Sequence, residues 1–221
     1  MKHIEKGEEP RSLLKYRKSG NADYNRLPKK EKEDLRQALL REQGYICCYC
    51  MQRIRENNSK IEHWKPQTPP FAHLRLDYQN LFIACKGNEG AKKKFQHCDT
   101  HKGKDEITIN PADETKNCEQ FVKYRKNGKI YSDDPIVNKE LDGILNLNTQ
   151  TLKNNRAEIM GQVINDLTTI KGKNAEWPLR SVRKMIRKYE GRQGRKNEKF
   201  IPLCQLVIYF LKKRFSNELK G

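Results

Sequence analysis

No run of apolar residues in this 221-residue chain approaches the roughly 20 that a membrane-spanning helix needs. The opening stretch, MKHIEKGEEP, contains no apolar segment of the kind a signal peptide requires. Both absences point to a cytoplasmic protein with no membrane partner. No internal repeat and no long low-complexity tract is present, which sets repeat architectures aside. The glycine-rich phosphate loop of P-loop nucleotide hydrolases is missing as well. Negative charge is scarce: 28 Asp and Glu stand against 46 Lys and Arg, a net charge of +18. That imbalance says little about fold and much about partners, since it suits a phosphate backbone or an acidic protein surface. Nucleic acid is the favoured partner.

Apolar residues make up 35% of the chain and charged residues 33%. Such a composition supports a thin core, in one domain or two small ones. Cysteine occurs seven times, an odd number that rules out a complete set of disulfides within one chain. In a reducing compartment, cysteines point to metal binding rather than to disulfides.

Residues 1–27 are polar, with scattered Leu13, Leu14, Tyr16 and Tyr24. Pro28 is placed to open a helix in its first turn. Leu35, Ala38 and Leu39 give that helix an apolar stripe, and Gly44 suits a left-handed exit. Between Tyr45 and Asp105 the chain changes character, holding five cysteines and four of the five histidines. Residues 106–138 read as a β-rich return, ITINP followed by FVKYRKNGKIYSDD, with Asn127-Gly128 as a hairpin turn. The last third reads as helical. Its stripes are Leu152, Ile159, Val163 and Leu167; then Val182, Met185, Ile186 and Tyr189; then Leu203, Leu206, Val207, Phe210, Leu211 and Phe215. These are core-facing stripes, and the glycine-punctuated EGRQGRKNEK lies between the last two.

Cys47 and Cys50 form a Cys-x-x-Cys pair, whose spacing turns two thiolates onto one ion. Cys85 and Cys98 supply two more, enough for a tetrahedral zinc site without histidine. The polar insert KGNEGAKKKFQH separates them and reads as a loop that closes at modest entropic cost. Cys48 is a weaker alternative to Cys47, and His97 a weaker alternative to Cys85. Cys118 and Cys204 fall outside the cluster, and Cys204 reads as packing. The competing explanation, that the cysteines are small buried hydrophobes, fits their polar neighbours poorly.

Glu62, His63, Asn80, Asp99 and His101 then remain for other chemistry. They follow in the order acid-His on a strand, Asn before the apolar strand NLFIAC, and an acid directly after a zinc cysteine, where a helix starts. Singly, His63 could be a surface histidine and Asp99 a helix cap. Together, in a β-β-α order beside four cysteines, they read as a site.

These motifs resemble those of the HNH endonuclease family with a treble-clef zinc site. The correspondence runs through Cys47 and Cys50, Glu62-His63-Trp64-Lys65-Pro66, Asn80-Leu81 and Cys98-Asp99-Thr100-His101-Lys102, and covers residues 45–104. The segments HIEKGEEPRSLLKY, REQGYICCYC, HCDTHKGK and LNLN-x-x-x-L resemble a narrower group, the nuclease subunits (PtuB) of Septu-type antiphage systems, some encoded beside retrons. That wider likeness covers roughly residues 1–160. It implies an α+β fold: a ββα-metal nuclease core at 45–138, with its following β-hairpin, between an N-terminal segment and helix at 1–44 and a basic helical region at 139–221.

The resemblance implies phosphodiester cleavage. In neutral form, near its ordinary pKa of about 6.5, His63 takes a proton from water. Mg²⁺ or Mn²⁺ is held by Glu62 and Asp99, with His101 as an alternative that completes the shell. Asn80 orients the loop carrying His63. Lys102 and Lys104 are placed with the substrate, and Trp64 either stacks on a base or covers the finger's core. Basic clusters at 92–94, 123–129, 183–199 and 212–214 are available to phosphates. DNA and RNA both remain open as substrates. The narrower resemblance implies a PtuA-like ATPase of the ABC type as partner and, in retron-linked versions, a reverse transcriptase with its DNA–RNA product. The competing reading is a zinc-stabilised nucleic-acid-binding adaptor without catalysis.

Overall fold

The computed structural model describes residues 1–171, 176–192 and 198–219. Among the described residues it is a mixed α and β protein with two separate two-stranded antiparallel sheets. No helix among the described residues is long and apolar enough to cross a membrane.

Two helices precede the chemical centre, α1 (Arg11–Arg17) and α2 (Lys29–Glu42). Leu35, Leu39 and Leu40 of α2 are buried, and Pro28 stands one residue before the helix as its N-cap. Gly44 follows at φ +58°, where a Cβ would sit 2.3 Å from the Phe200 ring. The position thus needs glycine for its backbone and for the close approach of a distant segment.

Strands β1 (Ser59–His63) and β2 (Leu81–Cys85) pair with Glu62 opposite Phe82 and His63 opposite Leu81. The short helix α3 (Cys98–Lys102) packs on β2. Helix α4 (Cys118–Phe121) leads into the second sheet, β3 (Lys123–Tyr124) with β4 (Ile130–Tyr131). The Asn127-Gly128 turn forms as expected, with Gly128 at φ +78°. The β-rich return is otherwise much shorter than its sequence implies. Ile107 and Ile109 are buried, yet ITINP is not a strand. The buried carboxylate of Glu140 accepts from the backbone N–H groups of Thr108 and Ile109, taking the place of a neighbouring strand.

Helix α5 (Pro135–Lys139) runs into a π-helical turn over Glu140–Ile144. Then come α6 (Gln150–Lys171), α7 (Leu179–Glu190) and α8 (Cys204–Arg214). The three C-terminal stripes fall on these helices, with Leu203 and Phe215 at the caps of α8, and most of their residues are buried as expected. Met160 rather than Ile159 is buried in α6, and Ile208 rather than Phe210 in α8, which lies between other elements on most of its sides. Part of the EGRQGRKNEK segment, 193–197, lies outside the described residues.

One hydrophobic cluster draws on all three stretches of the chain, from Met1 and Leu39 through Phe82 and Val122 to Leu211. The extensions and the centre therefore share a core.

Candidate functional site

The four sulfur atoms of Cys47, Cys50, Cys85 and Cys98 lie within 4.8 Å of one another. Cys47 and Cys98 are 3.8 Å apart, and Cys50 and Cys85 3.7 Å. Disulfide sulfurs would be about 2.05 Å apart. A tetrahedron with Zn–S bonds of about 2.3 Å has edges of about 3.8 Å. The donor set and its spacing fit one metal ion such as zinc.

Local structure explains how distant cysteines meet. Cys47 and Cys50 sit on a tight knuckle closed by the Cys47 N–H on the Gln52 carbonyl and the Met51 N–H on the Cys47 carbonyl. The insert between Cys85 and Cys98 is pinched at its base, where the His97 N–H donates to the Gly87 carbonyl at 3.0 Å. Gly87 makes this possible, since a Cβ there would lie 2.0 Å from the His97 carbonyl oxygen. Cys98 adopts φ +56°, and its N–H is taken by the Leu145 carbonyl at 2.8 Å. His97 Nδ1 stands 3.2 Å from the Cys98 sulfur, outside the set of four, where its ring N–H can donate to a thiolate. Cys48 is buried beside the cluster but outside it. Burial drives the Cys47 thiol upward, but its four cysteine neighbours outweigh this and hold it well below the ordinary thiol range.

The second part of the site is built on β1, β2 and α3. Strand alternation sends Lys60 and Glu62 to one face and His63 to the other. On the first face, Glu62 is 1% exposed. Its Oε1 accepts from the Tyr49 hydroxyl at 2.6 Å and pairs with the Lys102 ammonium at 2.9 Å. Asp99 is a close electrostatic neighbour of Glu62, and Lys60 Nζ lies 3.2 Å from its Oδ2. Burial, then the neighbouring Asp99, pushes the Glu62 carboxyl well above the usual carboxylate range, against the pull of Lys102.

On the other face, the His63 ring meets Tyr24 edge-on, centroids 4.4 Å apart. Its Nε2 lies 3.0 Å from the Arg75 carbonyl oxygen. A carbonyl only accepts, so Nε2 carries the proton and Nδ1 keeps a lone pair. Burial lowers the His63 pKa to about 4. The ring is therefore neutral at pH 7.

Asn80 ties the loop after β1 in place. Its Oδ1 accepts from the Lys65 N–H at 2.7 Å, and its Nδ2 donates to the Lys65 and Leu74 carbonyls at 3.1 Å each. Neither a family model nor a curated relative matches the chain. What the site does must therefore be argued from its own geometry.

That geometry gathers some of the expected residues and not others. Glu62, Asp99, Lys102 and the four cysteines lie together, with His63 at the end of β1 and Asn80 just before β2. His101 turns away, its Nδ1 2.9 Å from the Ile144 carbonyl oxygen. Lys102 was expected to meet substrate, but it is 2% exposed, and its ammonium is held by Glu62 and by the His63 carbonyl oxygen. The reason is that α3 projects this side chain toward the hairpin rather than toward solvent. Lys104 is exposed. The Trp64 indole N–H donates to the Ile109 carbonyl at 3.1 Å, and the ring is half-buried against the core. Tyr49 and Lys60 escaped the sequence reading. Tyr49 stands between the cysteines of CCYC, and Lys60 lies two residues before Glu62, hence on the same strand face.

Proposed function

We propose that the chain is a metal-dependent nuclease of the HNH type that hydrolyses phosphodiester bonds in nucleic acid. The observation that carries this reading is the pair of adjacent carboxylates, Glu62 and Asp99, on a β-β-α unit whose first strand ends in a neutral histidine. A buried carboxylate with a raised pKa beside a second carboxylate is relieved by a divalent cation. Glu62 and Asp99 would hold Mg²⁺ or Mn²⁺, and the four cysteines zinc as a structural ion. The catalytic cation supplies charge neutralisation at the phosphate and at the leaving oxygen.

The remaining work falls to the chain's own residues. His63 Nδ1 accepts the proton of the attacking water, while its Nε2–H stays on the Arg75 carbonyl and holds the ring's orientation. Asn80 positions the loop and touches no reacting atom. Lys60 and Lys102 balance the carboxylates before a cation arrives. The net charge of +18 draws the substrate in.

The likeness of residues 1–160 to Septu-type nuclease subunits supports a further reading as the toxic effector of a cytoplasmic antiphage complex. A PtuA-like ATPase would be its partner, joined in retron-linked systems by a reverse transcriptase and its DNA–RNA product. Residues of those wider motifs also have structural duties here. Lys6 bonds Glu42 and the Leu81 carbonyl, and Asn146 caps the insert at the carbonyls of Lys94 and Gln96.

One observation favours the competing reading, a zinc-stabilised binding protein without catalysis: the Lys102 ammonium already neutralises Glu62 in full burial. The experiment that separates them offers nucleic acid to purified protein with Mg²⁺ or Mn²⁺, beside His63→Ala. Cleavage by the parent alone supports the nuclease. Equal products from both proteins overturn His63 as the base, and none from either favours the adaptor.

A further inference from the structure

A second cleft lies outside the ββα unit, between the β3–β4 hairpin and α8, with a volume of about 420 Å³. Its floor is aromatic. Tyr131, Tyr209 and Phe210 are each half-buried and line it together. The floor is braced from beneath, since Tyr209 packs edge-on against buried Tyr124 with centroids 5.5 Å apart. Arg125, Lys126, Lys213 and Arg214 form the rim, all exposed, and among the described residues no acidic side chain lines the cleft. The Arg125 guanidinium stands 5.1 Å from the Tyr131 ring centre, and Lys213 Nζ 3.4 Å from the Tyr209 hydroxyl. Asp133, two residues past β4, is paired with Lys123.

We propose that this cleft binds single-stranded nucleic acid, with one unstacked base on the aromatic floor and the flanking phosphates on the four cations. The proposal rests on the reading of the chain as a protein that acts on nucleic acid. It goes beyond that reading by naming a second contact and the strandedness of the ligand. The chemistry decides the class. Aromatic faces accept any exposed base, and a duplex keeps its bases stacked within. A rim of cations without an acid suits a polyanion. An acidic peptide would use the rim and leave the flat floor idle.

The cleft is also tied to the candidate site. Arg156 donates to the carbonyls of Gly128 in the hairpin turn and Leu147. Asn148 bridges to Ile130 of β4 through both N–H and carbonyl. The same segment supplies the Leu145 and Ile144 carbonyls that receive the Cys98 N–H and His101 Nδ1. A strand held in the cleft therefore stands in fixed relation to α3.

The test uses His63→Ala protein without added divalent cation, so that binding is read apart from cleavage. Fluorescence anisotropy compares a labelled single-stranded 12-mer with the duplex of the same sequence over a range of salt. Single strand is expected to bind at least tenfold tighter. Arg125→Ala/Lys213→Ala, both surface changes, is expected to lose tenfold or more. It should also flatten the log–log salt slope by about 1.4, the counterion release of two phosphate contacts. Tyr131→Ala should weaken binding about 5- to 100-fold with the slope unchanged, as loss of stacking requires. Single-strand affinity unaltered in both variants overturns the proposal, as does equal affinity for duplex, or competition by polyglutamate as strong as by an oligonucleotide of equal charge. If the variants lose binding while the parent cleaves nothing, the cleft stands and the nuclease reading fails. If the parent cleaves and the variants bind normally, the reverse holds.

Discussion

The Lys102 ammonium lies 2.9 Å from Glu62 Oε1 and 2.9 Å from the carbonyl oxygen of His63, with both charged side chains 1% exposed. One cation thus touches both Glu62 and His63, the proposed cation ligand and the proposed base. It pairs with the carboxyl and fixes the end of β1. Removing one partner of a buried pair costs about 3–5 kcal/mol where the other stays charged, so the full loss is expected only at a pH that keeps Glu62 ionised. Lys102→Met is expected to lose that much in urea denaturation, and Glu62→Gln in the same background to restore a large part. A loss under about 1 kcal/mol, the range of exposed pairs, would show that the pair is not buried in solution.

The four-cysteine cluster makes a prediction that separates neighbours in sequence. Cys50→Ser is expected to lose most of the bound zinc and to melt at lower temperature, because zinc-binding energy is folding energy. Cys48→Ser should keep close to one zinc per chain, as should Cys118→Ser and Cys204→Ser, whose sulfurs lie outside the cluster. Metal analysis after gel filtration reads both outcomes. Normal zinc in Cys50→Ser would remove the assignment.

His63 sets a pH dependence with a definite sign. Its folded pKa, about 4, lies below the ordinary value of 6.5, so the unfolded chain binds the proton more readily. The contribution is fully present above about pH 6.5 and is lost as pH falls from there toward 4. Glu62, with its pKa raised, acts in the opposite direction, so the two are separated by mutation rather than by the raw profile. Parent and His63→Gln stabilities should differ by a pH-dependent amount only within that window. In cleavage assays the acid limb should fall near pH 4 to 5, not near 6.5. A limb near 6.5 would point either to a solvated His63 or to titration of the raised Glu62 carboxyl, which Glu62→Asp would shift.

Asp99 and His101 compete in the sequence for the last place around the proposed catalytic cation, and their contacts differ. Asp99 faces Glu62, whereas His101 holds the Ile144 carbonyl. Asp99→Ala is expected to raise the Mn²⁺ concentration for half-maximal cleavage by tenfold or more. His101→Ala should leave that concentration within about twofold and lower thermal stability instead, by roughly the 1 kcal/mol of one hydrogen bond. The opposite ranking would move the cation off Asp99.

Much of this protein follows from local rules. Helical stripes declared the C-terminal helices, because their burial repeats every 3.6 residues, though the exact buried face required the neighbours. The Cys-x-x-Cys spacing declared the knuckle, and Asn127-Gly128 its hairpin turn, because both are short-range geometry. The candidate site was legible as a list of residue types in order. Other features belong to distance in sequence. ITINP looks like a strand, and only the carboxylate of Glu140, some thirty residues on, makes a strand partner unnecessary. Cys85 and Cys98 meet because Gly87 lets the insert close on the His97 carbonyl, a contact no spacing rule encodes. Lys102 carried a charge that suggested solvent and phosphate, and the packing of α3 on the hairpin buried it against Glu62. The sequence by itself determined which groups are present and how the chain periodically presents them. Which of them share a low-dielectric space, and hence which proton or cation each can hold, was decided only when the tertiary contacts brought them together.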